Sequence, residues 1–266
     1  MKLRSDGQPD VQRAQADHRS RIVLLTRGTR HAAGILYALA DLGIRPDAIL
    51  LERPAGRQLV DRVRDVLRRR GLRELIRGVA RQTAARVRPG RDPWLSADFY
   101  AGRTHRLVPV TSLAGPEAAK ALEELRPDLL VLAGAPILPD AVLGSATYGT
   151  LNAHPGLLPR YRGVDVVPHA VLNRDAVGAT VHLVDAGIDT GRVVARVEVE
   201  PIAGDTLATL QERVETAGGA LLAETVARFV DDNELPSEGQ AERHPICKRL
   251  TPGERREAEA RLRGSA

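Results

Sequence analysis

Three runs of contiguous aliphatic residues limit what this chain can become. Residues 21–26 read Arg-Ile-Val-Leu-Leu-Thr, residues 48–51 Ala-Ile-Leu-Leu and residues 128–133 Asp-Leu-Leu-Val-Leu-Ala. None alternates apolar with polar, as a strand with one wet face does. Each is strand-sized and suited to burial on both faces, which points to a parallel sheet between helical layers. Between the first two runs, residues 31–42 carry helical spacing and stop at Gly43 and Pro46. Strand, turn, helix, strand forms a right-handed parallel crossover. Further strands are expected at 107–110, 150–154, 180–184 and 193–199, the last alternating Val with polar residues like an edge strand. Helices are expected at 116–125 and 205–229, the second capped by Asp205 or Thr206. The expected fold is therefore α/β: an open, mostly parallel Rossmann-like sheet of about seven strands with helices on both faces.

Residues 1–20 read as a disordered tail, and residues 53–103 as an Arg-rich helical insertion at the sheet edge. The main domain covers 21–232. Residues 233–266 read as a polar C-terminal tail with a short charged helix near 252–263 and no strand pattern. Aromatics are 3% of the 266 residues, which argues against stacking of exposed bases as the main activity. The net charge of +5 suits either an anionic partner or solvated helix faces. Cys247 is the lone cysteine, so neither an internal disulfide nor a multi-cysteine metal site is expected. The polar N-terminus lacks an apolar signal core and no apolar run has membrane-spanning length, so a cytoplasmic setting and no membrane partner are expected.

The chemistry concentrates in residues 151–163, Leu-Asn-Ala-His-Pro-Gly-Leu-Leu-Pro-Arg-Tyr-Arg-Gly. Asn152 and His154 are two apart on a strand and so share a face, and Pro155-Gly156 ends the strand at once. Ligands of open α/β sheets bind at strand carboxyl ends. A second element, Ala186-Gly187-Ile188-Asp189-Thr190-Gly191, puts Asp189 on a glycine-flanked loop after the 180–184 strand. If the two strands are neighbours, the three side chains converge. Taken singly, the Asn–His pair reads as a hydrogen-bonded strand cap and Asp189 as a turn residue. Together they lack a convincing nucleophile and suit direct acyl transfer between amines. Asn152 and a protonated His154 would donate to the oxyanion, and Asp189 would favour the imidazolium and accept a proton from the attacking amine.

Asn152-x-His154, Leu157-Leu158-Pro159-x-Tyr161-Arg162-Gly163 and Gly187-x-Asp189-Thr190-Gly191 together resemble the folate-dependent formyltransferase family. That family includes glycinamide ribonucleotide, methionyl-tRNA and sugar N-formyltransferases. The resemblance implies a catalytic trio of Asn152, His154 and Asp189 and 10-formyltetrahydrofolate as donor; no metal is expected, since His31, His105, His169 and His244 do not form a metal-ligand spacing. It also implies a pterin cleft lined by Ile137, Leu138, Val184, Ala186, Gly187 and Ile188. Family members often have Ser where this chain has Gly156. The turn Thr26-Arg27-Gly28-Thr29-Arg30-His31 lacks the Gly/Ser-rich phosphate signature of the ribonucleotide branch. About thirty residues follow Glu234, too few for the barrel of the tRNA branch. The expected acceptor is therefore a small-molecule amine: an amino sugar, an amino acid derivative or a biosynthetic amine. Nucleic acid is disfavoured, and formyl-folate hydrolysis or a methionyl-tRNA formyltransferase-like role without the barrel are the alternatives. Arg27, Arg160 and Arg162 are candidate contacts to a substrate anion. Asp165 and His169 read as acceptor contacts or a surface pair, and His182 as structural. A homodimer through the 193–199 edge or the tail is left open.

Overall fold

The computed structural model describes residues 20–53, 96–241 and 244–264. The N-terminal tail and all of the Arg-rich insertion between 54 and 95 lie outside the described residues. A seven-stranded sheet runs in the order β3-β2-β1-β4-β5-β7-β8. Its strands are β1 (Ile22–Thr26), β2 (Ala48–Glu52), β3 (Arg106–Val110), β4 (Leu129–Ala133), β5 (Thr150–His154), β7 (Gly178–Leu183) and β8 (Val193–Glu198). The first five are mutually parallel. β7 runs antiparallel to both β5 and β8. The expected open, mostly parallel α/β sheet is what the chain forms.

The aliphatic runs bury both faces, as their lack of alternation required. Ile22 and Leu24 of β1 pack with Ile35, Leu39, Val226 and Phe229. These belong to helices α1 (Arg30–Asp41) and α6 (Leu207–Asp232). The intervening Val23 and Leu25 face the opposite layer, with Leu113, Leu122 and Val142. Two of those residues lie on α3 (Pro116–Leu125) and α4 (Asp140–Leu143). Each fully buried Leu is worth about 1.5–3 kcal/mol of transfer free energy, so a polar residue anywhere in β1 would unsettle one layer or the other. The short helix α2 (Ala97–Ala101) precedes β3 and adds Phe99 and Tyr100 to the first layer. Thr206 caps α6, its hydroxyl accepting from the Thr209 N–H at 3.2 Å. Asp205 instead accepts from the Ile202 N–H and pairs with Arg213 at 2.6 Å.

The C-terminal segment, read as a polar tail with a short charged helix, carries that helix and packs it on the domain. A two-residue strand β9 (Ile246–Cys247) pairs in parallel with β6 (Arg162–Gly163). Helix α7 (Pro252–Gly264) then buries Ala258 and Leu262 with Val167 and Val171 of α5 (Val166–Asn173). A two-residue pairing is too short to leave an alternating pattern, and two apolar contacts in a charged helix leave little periodicity.

Candidate active site

β1, β4 and β5 end on the same edge of the sheet, and a cavity of about 840 Å³ opens there. Its lining includes Thr29 after β1, Gly134 after β4, and Asn152 and His154 of β5. Leu151 and Ala153 point into the α1/α6 core, so Asn152 and His154 face the other way by strand alternation. His154 is 4% exposed. Its Nε2 lies 2.6 Å from the Tyr161 carbonyl oxygen, which can only accept, so Nε2 carries a hydrogen. Nδ1 faces Asp189 Oδ2 at 3.6 Å.

Asp189 reaches this position by an unexpected route. Because β7 is antiparallel to β5, the register matches Leu183 with Leu151 and Thr180 with His154. The loop after β7 thus starts beside the beginning of β5, not beside its carboxyl end. It folds back towards His154, with Asp189 in a left-handed conformation at φ 52°. A Cβ at Gly191 would collide with the Leu183 carbonyl oxygen, so the loop closes only on glycine. The Asp189 carboxylate accepts from the Gly163 N–H at 2.8 Å, and its main-chain oxygen accepts from Gln240 Nε2 at 3.0 Å. The two motifs are thereby tied to each other and to the C-terminal segment.

His182, expected to be structural, belongs to the site. It lies opposite Asn152 in the β5–β7 register. Its Nδ1–H donates to the Leu183 carbonyl at 2.9 Å, leaving Nε2 as an acceptor for Asn152 Nδ2 at 3.3 Å. Burial pushes its pKa below the ordinary value, against the opposing pulls of the Leu183 carbonyl and Asp189. A neutral His182 therefore orients the Asn152 carboxamide, and its Nε2 stands 3.7 Å from Asp189 Oδ1. The sequence signal for this was the even spacing of Thr180 and His182 on one strand. It becomes readable only once the register against β5 is known.

Ile137, Leu138, Val184, Ala186, Gly187 and Ile188 all line the cavity. Leu138 is buried, whereas Ile137 is 88% exposed at the rim. Gly156 stands where a Cβ would fall 2.6 Å from the Tyr161 oxygen and 2.9 Å from His154 Nε2. A serine at this position would therefore push on the anchor of the imidazole. The three expected anion contacts are not in the lining. Arg27 Nε donates to the Gly134 carbonyl at 3.4 Å, and Arg160 pairs with Asp175 at 2.9 Å. Arg162 donates to the carbonyls of Ile188 and His244 and so braces the Asp189 loop. Asp165 and His169 bind the C-terminal segment, through the Leu250 N–H and the Lys248 carbonyl. Among the described residues, no group of three His, Cys, Asp or Glu side chains is placed to hold a metal, and no helix is long and apolar enough to cross a membrane.

Residues 95–226, which hold both motifs and the whole cluster, match the formyl transferase family. This stretch is a formyl transferase domain. A methionyl-tRNA formyltransferase of Dehalococcoides mccartyi is 41% identical over 120 residues, 44% of this chain and 38% of that protein. The chain thus spans well under half the length of that curated relative. Among solved structures, a sugar N-formyltransferase from a Shewanella species aligns with a TM-score of 0.57 at 16% identity, over 92% of this chain and 88% of that one. A glycinamide ribonucleotide transformylase from Symbiobacterium toebii aligns at 0.55 with 22% identity, over 81% and 89%. These likenesses establish the formyltransferase fold. The family match ends within α6, so β9 and α7 lie beyond it.

Proposed function

We propose that this formyltransferase moves a formyl group from 10-formyltetrahydrofolate to the amine of a small-molecule acceptor. The observation that carries the reading is the joining of Asn152, His154, His182 and Asp189 around one end of the cavity. The cavity volume lies within the range of small-ligand sites, and its aliphatic wall at Leu138, Val184 and Ile188 suits a flat bicyclic ring. The donor supplies a formyl carbon bonded to nitrogen. The acceptor nitrogen forms a bond to that carbon while the bond to the donor nitrogen breaks. Asn152, aimed by His182, donates an N–H to the carbonyl oxygen as negative charge gathers on it, and the His154 Nδ1 edge does the same once protonated. Asp189 takes the proton that the acceptor amine loses, and an equivalent proton goes to the leaving nitrogen, so the balance closes.

Supporting the small-molecule acceptor are the concave, residue-lined cavity and the sugar N-formyltransferase and glycinamide ribonucleotide transformylase among the fold neighbours. The identity to methionyl-tRNA formyltransferases favours a second reading, in which the acceptor is aminoacylated tRNA. Hydrolysis, with water in place of the amine, uses the same groups. The test incubates the protein with 10-formyltetrahydrofolate and a panel of amines plus methionyl-tRNA, following tetrahydrofolate release and the acceptor's gain of a formyl group by mass. Release that depends on a small amine supports the proposal. Release at one rate whatever is added indicates hydrolysis, and formylation confined to the tRNA replaces the small-molecule reading.

A further inference from the structure

The cavity carries its positive charge in one place. Among the described residues that line it, the only Lys and Arg side chains are Lys248 and Arg249. Carboxylates line it elsewhere: Asp140, Asp185, Asp189 and Glu215. Arg30, beside the β1 turn, is paired with Glu212. The two cations are exposed, and Arg249 also acts electrostatically on the nearby Asp165 carboxylate. Their backbone is fixed on both sides. The Cys247 carbonyl accepts from the Val164 N–H at 3.1 Å, the Lys248 carbonyl accepts from His169 Nε2 at 2.8 Å, and the Leu250 N–H donates to Asp165 at 3.0 Å. Asp165 is itself held by Arg255 at 2.8 Å. The segment from β9 to α7 is therefore a strap across the cavity rim. The exposed aliphatic side chains of Val164, Ile188 and Ile246 line the same cavity.

We propose that Lys248 and Arg249 form an anion subsite at the cavity rim, taking a carboxylate or phosphate at the end of a ligand whose body lies in the cavity. The placement is what such a subsite needs. Two exposed cations sit on a braced backbone in a cavity with aliphatic lining, and no other Lys or Arg is found among the described lining residues. An anion entering elsewhere would meet carboxylates. The identity of the ligand rests on the formyl-transfer reading. The anion belongs either to the glutamate tail of the folate donor or to an acidic group on the acceptor.

Titration calorimetry on the whole protein at low ionic strength separates these sources, using 5-formyltetrahydrofolate in monoglutamate and triglutamate forms and inorganic pyrophosphate as probes. The double variant Lys248→Ala/Arg249→Ala is compared with wild type, with Lys120→Ala on α3 as a remote charge control and Lys248→Arg as the charge-keeping variant. If the tail is the ligand, wild type prefers the triglutamate and the double variant loses that preference, a change on the order of tenfold for two partly exposed charge contacts. If the acceptor carries the anion, both folates bind wild type and variant alike. Pyrophosphate titrated into folate-saturated protein then weakens by a similar factor in the double variant. Either result supports the subsite, and added salt diminishes both. A double variant with a wild-type melting curve and unchanged affinity for every probe overturns it. Wild type that binds no folate, while pyrophosphate binding still depends on Lys248 and Arg249, removes the formyl-transfer reading and leaves the subsite in place.

Discussion

Asparagine at position 189 keeps the outline of the aspartate and removes its charge. The Gly163 N–H, 2.8 Å from Oδ2, can be satisfied by the amide oxygen, and Gln240 still donates to the main-chain oxygen. The loop between Val184 and Gly191 should therefore hold its course. What disappears is the carboxylate 3.6 Å from His154 Nδ1, on a side chain only 17% exposed. Two effects then act together. The amine loses its proton acceptor, and the imidazolium that would face the developing oxyanion loses its counter-charge. Positioned general bases contribute roughly 10²–10⁴ in rate, or about 2.7–5.4 kcal/mol at 1.36 kcal/mol per decade. With both effects absent, turnover in Asp189→Asn should fall by about a thousandfold, while donor affinity and the melting temperature stay near wild type. The assay is single-turnover release of tetrahydrofolate with the best acceptor of the panel, alongside circular dichroism. A rate within about threefold of wild type in a folded variant would refute the role given to Asp189.

Three other expectations follow from the same geometry. His182→Ala frees the Asn152 carboxamide, and it should lower kcat by about 10-fold or more with little change in donor binding; equal losses in both would mean that the strand, not the amide, was disturbed. Gly191→Ala drives a methyl into the Leu183 carbonyl and should cost about 1–3 kcal/mol in urea unfolding while displacing Asp189 and abolishing turnover; unchanged stability would deny the tight closure of the loop. Burial holds His31 and His182 below the ordinary histidine value of 6.5. Each therefore takes up its proton at a lower pH in the fold than in the unfolded chain, and stability should fall as pH drops through and below 6.5. A His31→Asn/His182→Asn variant should show a shallower slope in melting temperature against pH, and an identical slope would argue against lowered pKa values at these positions.

Much of this molecule was written in its local chemistry. The unbroken runs at 22–25, 48–51 and 129–133 could be satisfied only between two helical layers, since either wet face would expose Val, Ile and Leu. The shared face of Asn152 and His154 before Pro155-Gly156 was legible in the spacing, and Asp189 joined them through the two motifs that carry the family resemblance. Tertiary structure alone decided the antiparallel course of β7, which brings His182 to Asn152 and makes the Asp189 loop fold back. It also turned Arg27, Arg160 and Arg162 to protein partners and left Lys248 and Arg249 at the cavity. The physical reason is one of range. Burial and strand alternation act on neighbouring residues, so their periodicity survives in the sequence. Register, charge pairing and a two-residue bridge are settled between segments tens of residues apart, where each competes with every other available partner and leaves no periodic trace.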